Sequence, residues 1–246
     1  DTRQVTLPKL DMAQLQLDPF LALRRWLDTV ETTHPNQSFL LCLDEYERID
    51  ELVTQVGNRT PLNFLRHVVQ HRTRWTVLFA GSHYPRELPT YWSDYLINTQ
   101  TLRISYLPHT AAVELIKHPI PNFPDIYPDE TVEALWQLTN GQPYLIQLIC
   151  TELVDYLNRQ KRRKVTVEDI ETIVPIVFER GEQYFREFWY ESNNEAARNI
   201  MQQVIRDEPV TEDSSDLIER EFLKKEAGGL RFQVPLLARW VETIGR

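Results

Sequence analysis

The chain has 246 residues, 42% of them hydrophobic, with 27 Lys+Arg against 36 Asp+Glu and a net charge of −9. That length accommodates one large or two to three small domains of about 100–200 residues, and the acidic balance disfavours nucleic acid as the main partner. The strongest apolar runs, 39–43 and 144–150, fall far short of the ~18 residues of a membrane span, and Asp1-Thr2-Arg3-Gln4 opens no signal peptide.

In chain order, Asp18-Pro19 opens a helix. Asp caps it, Pro occupies its first turn, and Phe20, Leu23, Trp26, Leu27 and Val30 form one stripe up to His34-Pro35-Asn36. Ser38–Leu43 is then too short for a buried helix. It reads as a strand covered on both faces, as in parallel sheets, and it ends in Asp44-Glu45. Thr60-Pro61 begins a second helix with Leu62, Leu65, Val68 and Val69 inward. Trp75–Ala80 is the next strand and ends in Gly81-Ser82-His83, and a third short strand is expected at Thr101–Ser105. Strands joined by helix-length connections are the βαβ pattern of a parallel sheet.

From Pro108 the strands stop, and helices are expected at 109–117, 129–139, 144–160 and 167–179. Pro128 and Pro143 stand at helix starts, Thr166 is the last N-cap, and Pro175 kinks or ends the last helix. Further helices near 182–191, 194–206 and 215–226 lead to a tight turn at Gly228-Gly229. A strand at Leu230–Val234 and a final helix from Pro235 through Trp240 follow. Three helices followed by a glycine-tipped β-turn form a winged-helix pattern.

Seven glycines narrow the chemistry. No two of Gly57, Gly81, Gly141, Gly181, Gly228, Gly229 and Gly245 have the G-x-x-x-x-G-K-[ST] spacing of a phosphate-cradling Walker A loop. G-x-G-x-x-G fails likewise. Cys42 and Cys150 lie in apolar runs and form no disulfide framework, as in a chain kept in a reducing cytoplasm.

Asp44-Glu45 is the sharpest site candidate. Ligands of open α/β sheets sit beyond the carboxyl ends of the strands. There an aspartate can hold Mg²⁺ and a glutamate can polarise a water for attack on a γ-phosphate. A solvated strand end accounts for the same dipeptide, and both readings stay open on these residues alone. Ser82 or His83, ending the neighbouring strand, could orient the same water, or could simply close a turn.

Taken together the segments resemble a known family. FLLCLDEYERIDE resembles the Walker B strand of STAND-type signal-transduction ATPases, relatives of AAA+ proteins, and WTVLFAGSH looks like their sensor 1 strand. LTNGQPYLIQLICTELVDYLN is similar to the G-x-P helix of their lid, and GGLRFQVPLLARW to their winged-helix tail. The resemblance runs from about residue 15 to the C-terminus and is nearest to bacterial multidomain members. It implies an α/β fold: a partial parallel-sheet, AAA+-like ATPase core over 1–107, a helical lid over 108–181 and a winged helix over 182–246.

Carried over residue by residue, it implies Asp44 as Mg²⁺ ligand, Glu45 as catalytic base and Ser82 or His83 as the sensor. Gly141, Gln142 and Pro143 would bind the nucleotide, the proline packing against adenine. Pro at the first helical position offers a rigid apolar face, and its missing N–H costs nothing there. A plain helix boundary explains the same three residues. Arg86 and Arg103 are candidate γ-phosphate sensors, with nothing in the sequence to choose between them. The implied cofactors are ATP or ADP and Mg²⁺, and both require a phosphate loop. The implied partners are ATP, other segments of a longer protein and, on activation, further copies of itself, with no membrane. The family's phosphate loop and first strand are expected before residue 1. A start without methionine agrees with a C-terminal portion, and these residues alone are expected not to bind ATP tightly.

Other signals carry less. His67 and His71 have metal-ligand spacing, but Val68 stands where a zinc protease needs Glu. There is no Cys-x-x-Cys pair and no G-x-S-x-G elbow. The basic cluster Arg159, Lys161, Arg162, Arg163 and Lys164 reads as a solvated loop between lid helices. The alternative to the ATPase reading is a nucleotide-free interaction or DNA-binding module on a degenerate scaffold of the same kind. Residues 192–246 count against DNA, with eight basic and ten acidic side chains, as does the expected recognition helix DLIEREFLKKE, with three basic against four acidic.

Overall fold

The computed structural model describes residues 6–81 and 87–244. Two compact units divide the chain, Asp1–Leu102 and Arg103–Arg246.

The first unit opens with α1 (Met12–Leu17), α2 (Pro19–Thr33) and β1 (Phe39–Leu43). A 3₁₀ turn (Tyr46–Arg48) leads through α3 (Ile49–Val56) and α4 (Thr60–His71) to β2 (Trp75–Phe79). A second 3₁₀ turn (Thr90–Trp92) precedes the short α5 (Ser93–Leu96). Asp18 caps α2 as expected, its Oδ1 accepting the Leu21 N–H at 3.0 Å, and Pro19 follows in the first turn. Helix α1 was not anticipated from the sequence. Its cap is Asp11, which accepts the N–H groups of Ala13 and Gln14 at 3.0 and 3.1 Å. Helix α3 was not anticipated either. It grows out of the 3₁₀ turn with no side-chain cap of its own, so no start signal marks it.

β1 and β2 pair in parallel from Phe39↔Trp75 to Leu43↔Phe79, with α3 and α4 forming the crossover. Phe39, Leu41 and Leu43 with Trp75, Val77 and Phe79 face the core built from α2 and α4, where Leu27, Val30, Phe64, Leu65 and Val68 are buried. Phe39 and Trp75 stack at 4.6 Å across the register. The expectation of a strand covered on both faces is corrected here. Leu40 is 61% and Leu78 44% exposed, and Cys42 is exposed beside them. Side chains alternate along a strand, and among the described residues the helices pack on one face only. The strand expected at Thr101–Ser105 is absent. That segment is irregular, with Leu102 and Ile104 exposed, because an extended run becomes a strand only when a partner completes its ladder.

One ion-paired hub ties α2 to the β2 side. The Arg72 side chain is 9% exposed and donates to Asp28 at 2.7 Å and Glu31 at 2.9 Å. Glu31 also accepts from the Trp75 indole at 2.7 Å. Burial disfavours the guanidinium's charge, but hydrogen bonds to the two carboxylates outweigh it and raise its pKa.

The second unit is helical through α6 (His109–Lys117), α7 (Asp129–Thr139), α8 (Pro143–Gln160) and α9 (Val167–Arg180). Asp169 closes the start of α9 by accepting the Thr166 N–H at 2.8 Å while pairing with Arg162 at 2.7 Å. α9 runs through Pro175 to Arg180, so the proline does not end it. Then follow α10 (Glu182–Arg186), a π-helical turn (Glu187–Glu191), α11 (Glu195–Ile205), α12 (Ser215–Glu219), the antiparallel pair β3 (Leu223–Glu226) and β4 (Gly229–Phe232), and α13 (Pro235–Ile244).

The helix expected over 215–226 is therefore two elements. Glu221 takes a left-handed φ of 60°. The N–H groups of Glu221 and Phe222 return to the carbonyls of Ile218 and Leu217, which is the Schellman way to stop a helix. Phe222 then packs edge-on to Phe188 at 5.0 Å, and the next four residues pair as β3. The hairpin turn is accordingly Ala227-Gly228, with Gly229 already in β4. Residues 108–181 and 182–246 contribute to a single hydrophobic core. In it Leu135, Ile149, Ile173 and Val177 are buried together with Phe185, Met201, Leu236 and Trp240. No helix among the described residues is long and apolar enough to cross a membrane.

Candidate functional site

β1 delivers Asp44 and Glu45 at its carboxyl end, beside the carboxyl end of β2. The pairing continues past both strands, with the Ala80 N–H donating to Leu43 at 2.9 Å and the Tyr46 N–H to Ala80 at 3.1 Å. Glu45 turns the chain through a left-handed φ of 47°, uncommon for a residue with a Cβ, and its N–H donates to Asp44 Oδ1 at 3.0 Å. The turn carries the following residues against the tip of β2. A Cβ on Gly81 would collide with Glu47 Oε2 and would lie 2.7 Å from Tyr46 Cδ1. Gly81 is thus favoured by the close approach of the Tyr46 ring, a role the sequence does not reveal, whereas the Glu47 carboxylate is a flexible chain end that can swing aside. Tyr46 is buried there, and its phenol is raised above the ordinary range by burial first, then by the carboxylates of Glu47 and Glu87.

Asp44 and Glu45 are both exposed. Glu45 pairs with Arg48 at 3.4 Å, a solvated contact that contributes little and leaves the carboxylate free to turn. Asp44 keeps one oxygen beyond its backbone bond. Mg²⁺ is usually held by one or two carboxylates plus substrate phosphates and water, so a single strand-tip aspartate has the donor chemistry the ion takes. Among the described residues no group of three or more His, Cys, Asp or Glu forms a preassembled metal cage. Ser82, His83 and Arg86 lie outside the described residues.

Gly141, Gln142 and Pro143 form the turn between α7 and α8 in the second unit. Asn140 and Gly141 take successive positive φ values of 46° and 79°. Gln142 is the N-cap of α8, its side-chain carbonyl accepting the Leu145 N–H at 2.8 Å, and Pro143 is exposed in the first turn. A Cβ on Gly141 would collide with the Leu107 carbonyl oxygen and would lie 2.7 Å from Trp136 Cζ3. The Leu107 N–H donates to the Gly141 carbonyl at 2.9 Å, so the entry strap of this unit rests directly on the turn. Gly141 is therefore fixed by packing as well as by φ, a constraint that neither the nucleotide-binding expectation nor the plain helix boundary contained.

The expected residues that are described thus form two groups, Asp44-Glu45 in the first unit and Gly141–Pro143 in the second. Arg103 lies in the second unit and is exposed. Two surface cavities, of about 550 and 230 Å³, contain none of these residues. One lies between the end of α11 and the β3–β4 hairpin, the other among α7, α9 and α13.

No protein-family model matches the chain, and no curated protein matches it. Among solved structures it is similar to the RuvB Holliday junction branch migration motor of Thermotoga maritima. Identity is 16% and the TM-score 0.46, over 78% of this chain and 66% of that one. A variant of the same protein gives 13% identity and a TM-score of 0.45, over 87% and 81%. The chain spans 66% of the length of the first of these structures.

Proposed function

We propose that this chain is part of a STAND-type, AAA+-like ATPase module that switches conformation with its nucleotide. The observation that carries the reading is the pair Asp44-Glu45 at the carboxyl end of β1, turned against the end of a parallel neighbour strand through Gly81. That is where open α/β sheets place their ligands.

In this reading Asp44 holds Mg²⁺, which when bound neutralises charge on the phosphates. Glu45 releases Arg48 and accepts a proton from the water that attacks the γ-phosphate. The bond from the γ-phosphorus to the bridging oxygen breaks, and ADP leaves with that oxygen. Ser82 or His83 orients the water. Gly141 and Gln142 shape the turn that offers Pro143 to the adenine. Residues 108–181 serve as lid and residues 182–246 as a winged-helix tail. Nucleotide exchange shifts the balance between a resting form and a self-associating form.

The sequence has no Walker A loop, so the phosphates need a Gly-rich Lys-[Ser/Thr] loop from outside these residues. The test is calorimetric titration with Mg·ATP. These 246 residues alone should show no micromolar binding, whereas a protein in which such a loop precedes them should bind. Pro143→Ala should weaken that binding. Micromolar affinity of the 246 residues alone, or none with the loop restored, overturns the reading.

A further inference from the structure

Next to Pro143, Tyr144 keeps 42% of its surface exposed although it is a large aromatic side chain. Its ring stacks on Tyr184 of α10, with centroids 4.7 Å apart and planes 30° from parallel. The backing is firm. Tyr184 meets Phe185 edge-on at 5.6 Å, and Phe185, fully buried, stacks on Trp240 of α13 at 5.4 Å and 16°. A continuous aromatic series therefore runs from the surface at α8 into the core at α13. Its outermost ring rests on Tyr184 and keeps 42% of the residue's surface exposed. Stacking one more planar ring there costs little conformational entropy, because Tyr144 is already held.

We propose that Tyr144 is a purine-stacking residue, its supported ring receiving the adenine that Pro143 borders. The inference rests on the nucleotide-binding reading above and names a contact that reading does not contain. Pro143 offers a small apolar edge, whereas Tyr144 offers an exposed aromatic ring backed by Tyr184. Base–aromatic stacks contribute about 1–3 kcal/mol each when truncated to alanine, a loss of roughly five- to 150-fold in affinity.

The test uses adenosine as probe and ribose as control, titrated to millimolar concentration into the 246-residue chain. The tyrosine ring signals are followed by NMR. The Tyr144 ring should move with adenosine and not with ribose. Tyr144→Ala should weaken adenosine binding about tenfold or more, and Tyr144→Phe should restore it. Retained circular dichroism shows that each variant is folded. Adenosine binding that leaves the Tyr144 ring unmoved, unchanged affinity in Tyr144→Ala, or no binding to the folded chain overturns the proposal. The nucleotide reading is judged separately, by turnover of a loop-bearing protein. Turnover abolished by Glu45→Gln but indifferent to Tyr144→Ala keeps that reading and rejects this one.

Discussion

Replacing Gly141 by alanine isolates how the α7–α8 turn is held. The residue sits at φ 79°, where an L side chain costs about 1–2 kcal/mol. A Cβ there would also overlap the Leu107 carbonyl oxygen and lie 2.7 Å from Trp136 Cζ3. Backbone cannot yield as a flexible side chain does, so overpacking adds about 1–3 kcal/mol. Displacing Leu107 would stretch its 2.9 Å bond to the Gly141 carbonyl, adding about 0.5–1.5 kcal/mol. The expected loss is about 3–6 kcal/mol. Gly57 is the control, because its φ is 69° but nothing lies within 4 Å of a Cβ, leaving only the conformational cost of about 1–2 kcal/mol. Urea denaturation followed by circular dichroism and tryptophan fluorescence reads both variants, each in the transition of its own unit. Equal losses for Gly141→Ala and Gly57→Ala would refute the packing argument.

Arg72→Ala should destabilise the first unit by about 2–4 kcal/mol in the same assay. It removes a nearly buried guanidinium from Asp28 and Glu31, and the exposure of Asp28 keeps the loss below that of a fully buried pair. Asp169 lies 6% exposed, and its carboxyl is held below the ordinary range. Burial opposes this, but bonds from Arg162 and the Thr166 N–H outweigh it. Its folded pKa lies below the unfolded value, so its contribution is complete above about pH 4 and fades as pH falls through the folded pKa. Asp169→Ala should cost about 1–2 kcal/mol at pH 7, a difference that narrows under acid in denaturation curves. Burial, then the Glu221 carboxylate, raises the Tyr106 phenol to about 12. Ultraviolet titration of Tyr106→Phe against the parent should therefore show the missing tyrosine among the last to ionise.

Much of this fold was legible because its signals are local. Asp18-Pro19, Thr166, and the apolar runs at 39–43 and 75–79 each carry their own start, stop or period. The errors fall where a partner decides. Leu40 and Leu78 look like core on composition, yet only the packing of α2 and α4 settles which face is covered. The Leu102–Ile104 alternation has the period of a strand but no ladder. The stretch 216–226 has good helix formers, but its helix ends at Glu219, and beyond the left-handed Glu221 Phe222 packs on Phe188 while Lys224 pairs with Arg231 in the β3–β4 ladder. At the candidate site, Asp44-Glu45 was visible from its place after an apolar run. The fit of Gly81 and the need for Gly141 were not, because they arise from the Tyr46 ring and the Leu107 carbonyl approaching through space. Tyr144 was passed over because nothing in the sequence announces that Tyr184 lies beneath it.

In the proposed function Glu45 activates water for ATP hydrolysis. The direct measurement is steady-state ATP turnover, with ATP affinity in parallel, for a protein in which a Walker A loop precedes these residues. Glu45→Gln keeps the side chain's shape but removes the base. It should lower turnover by about 10²–10⁴-fold while ATP still binds, as expected for loss of a general base. Undiminished turnover in Glu45→Gln would contradict the account.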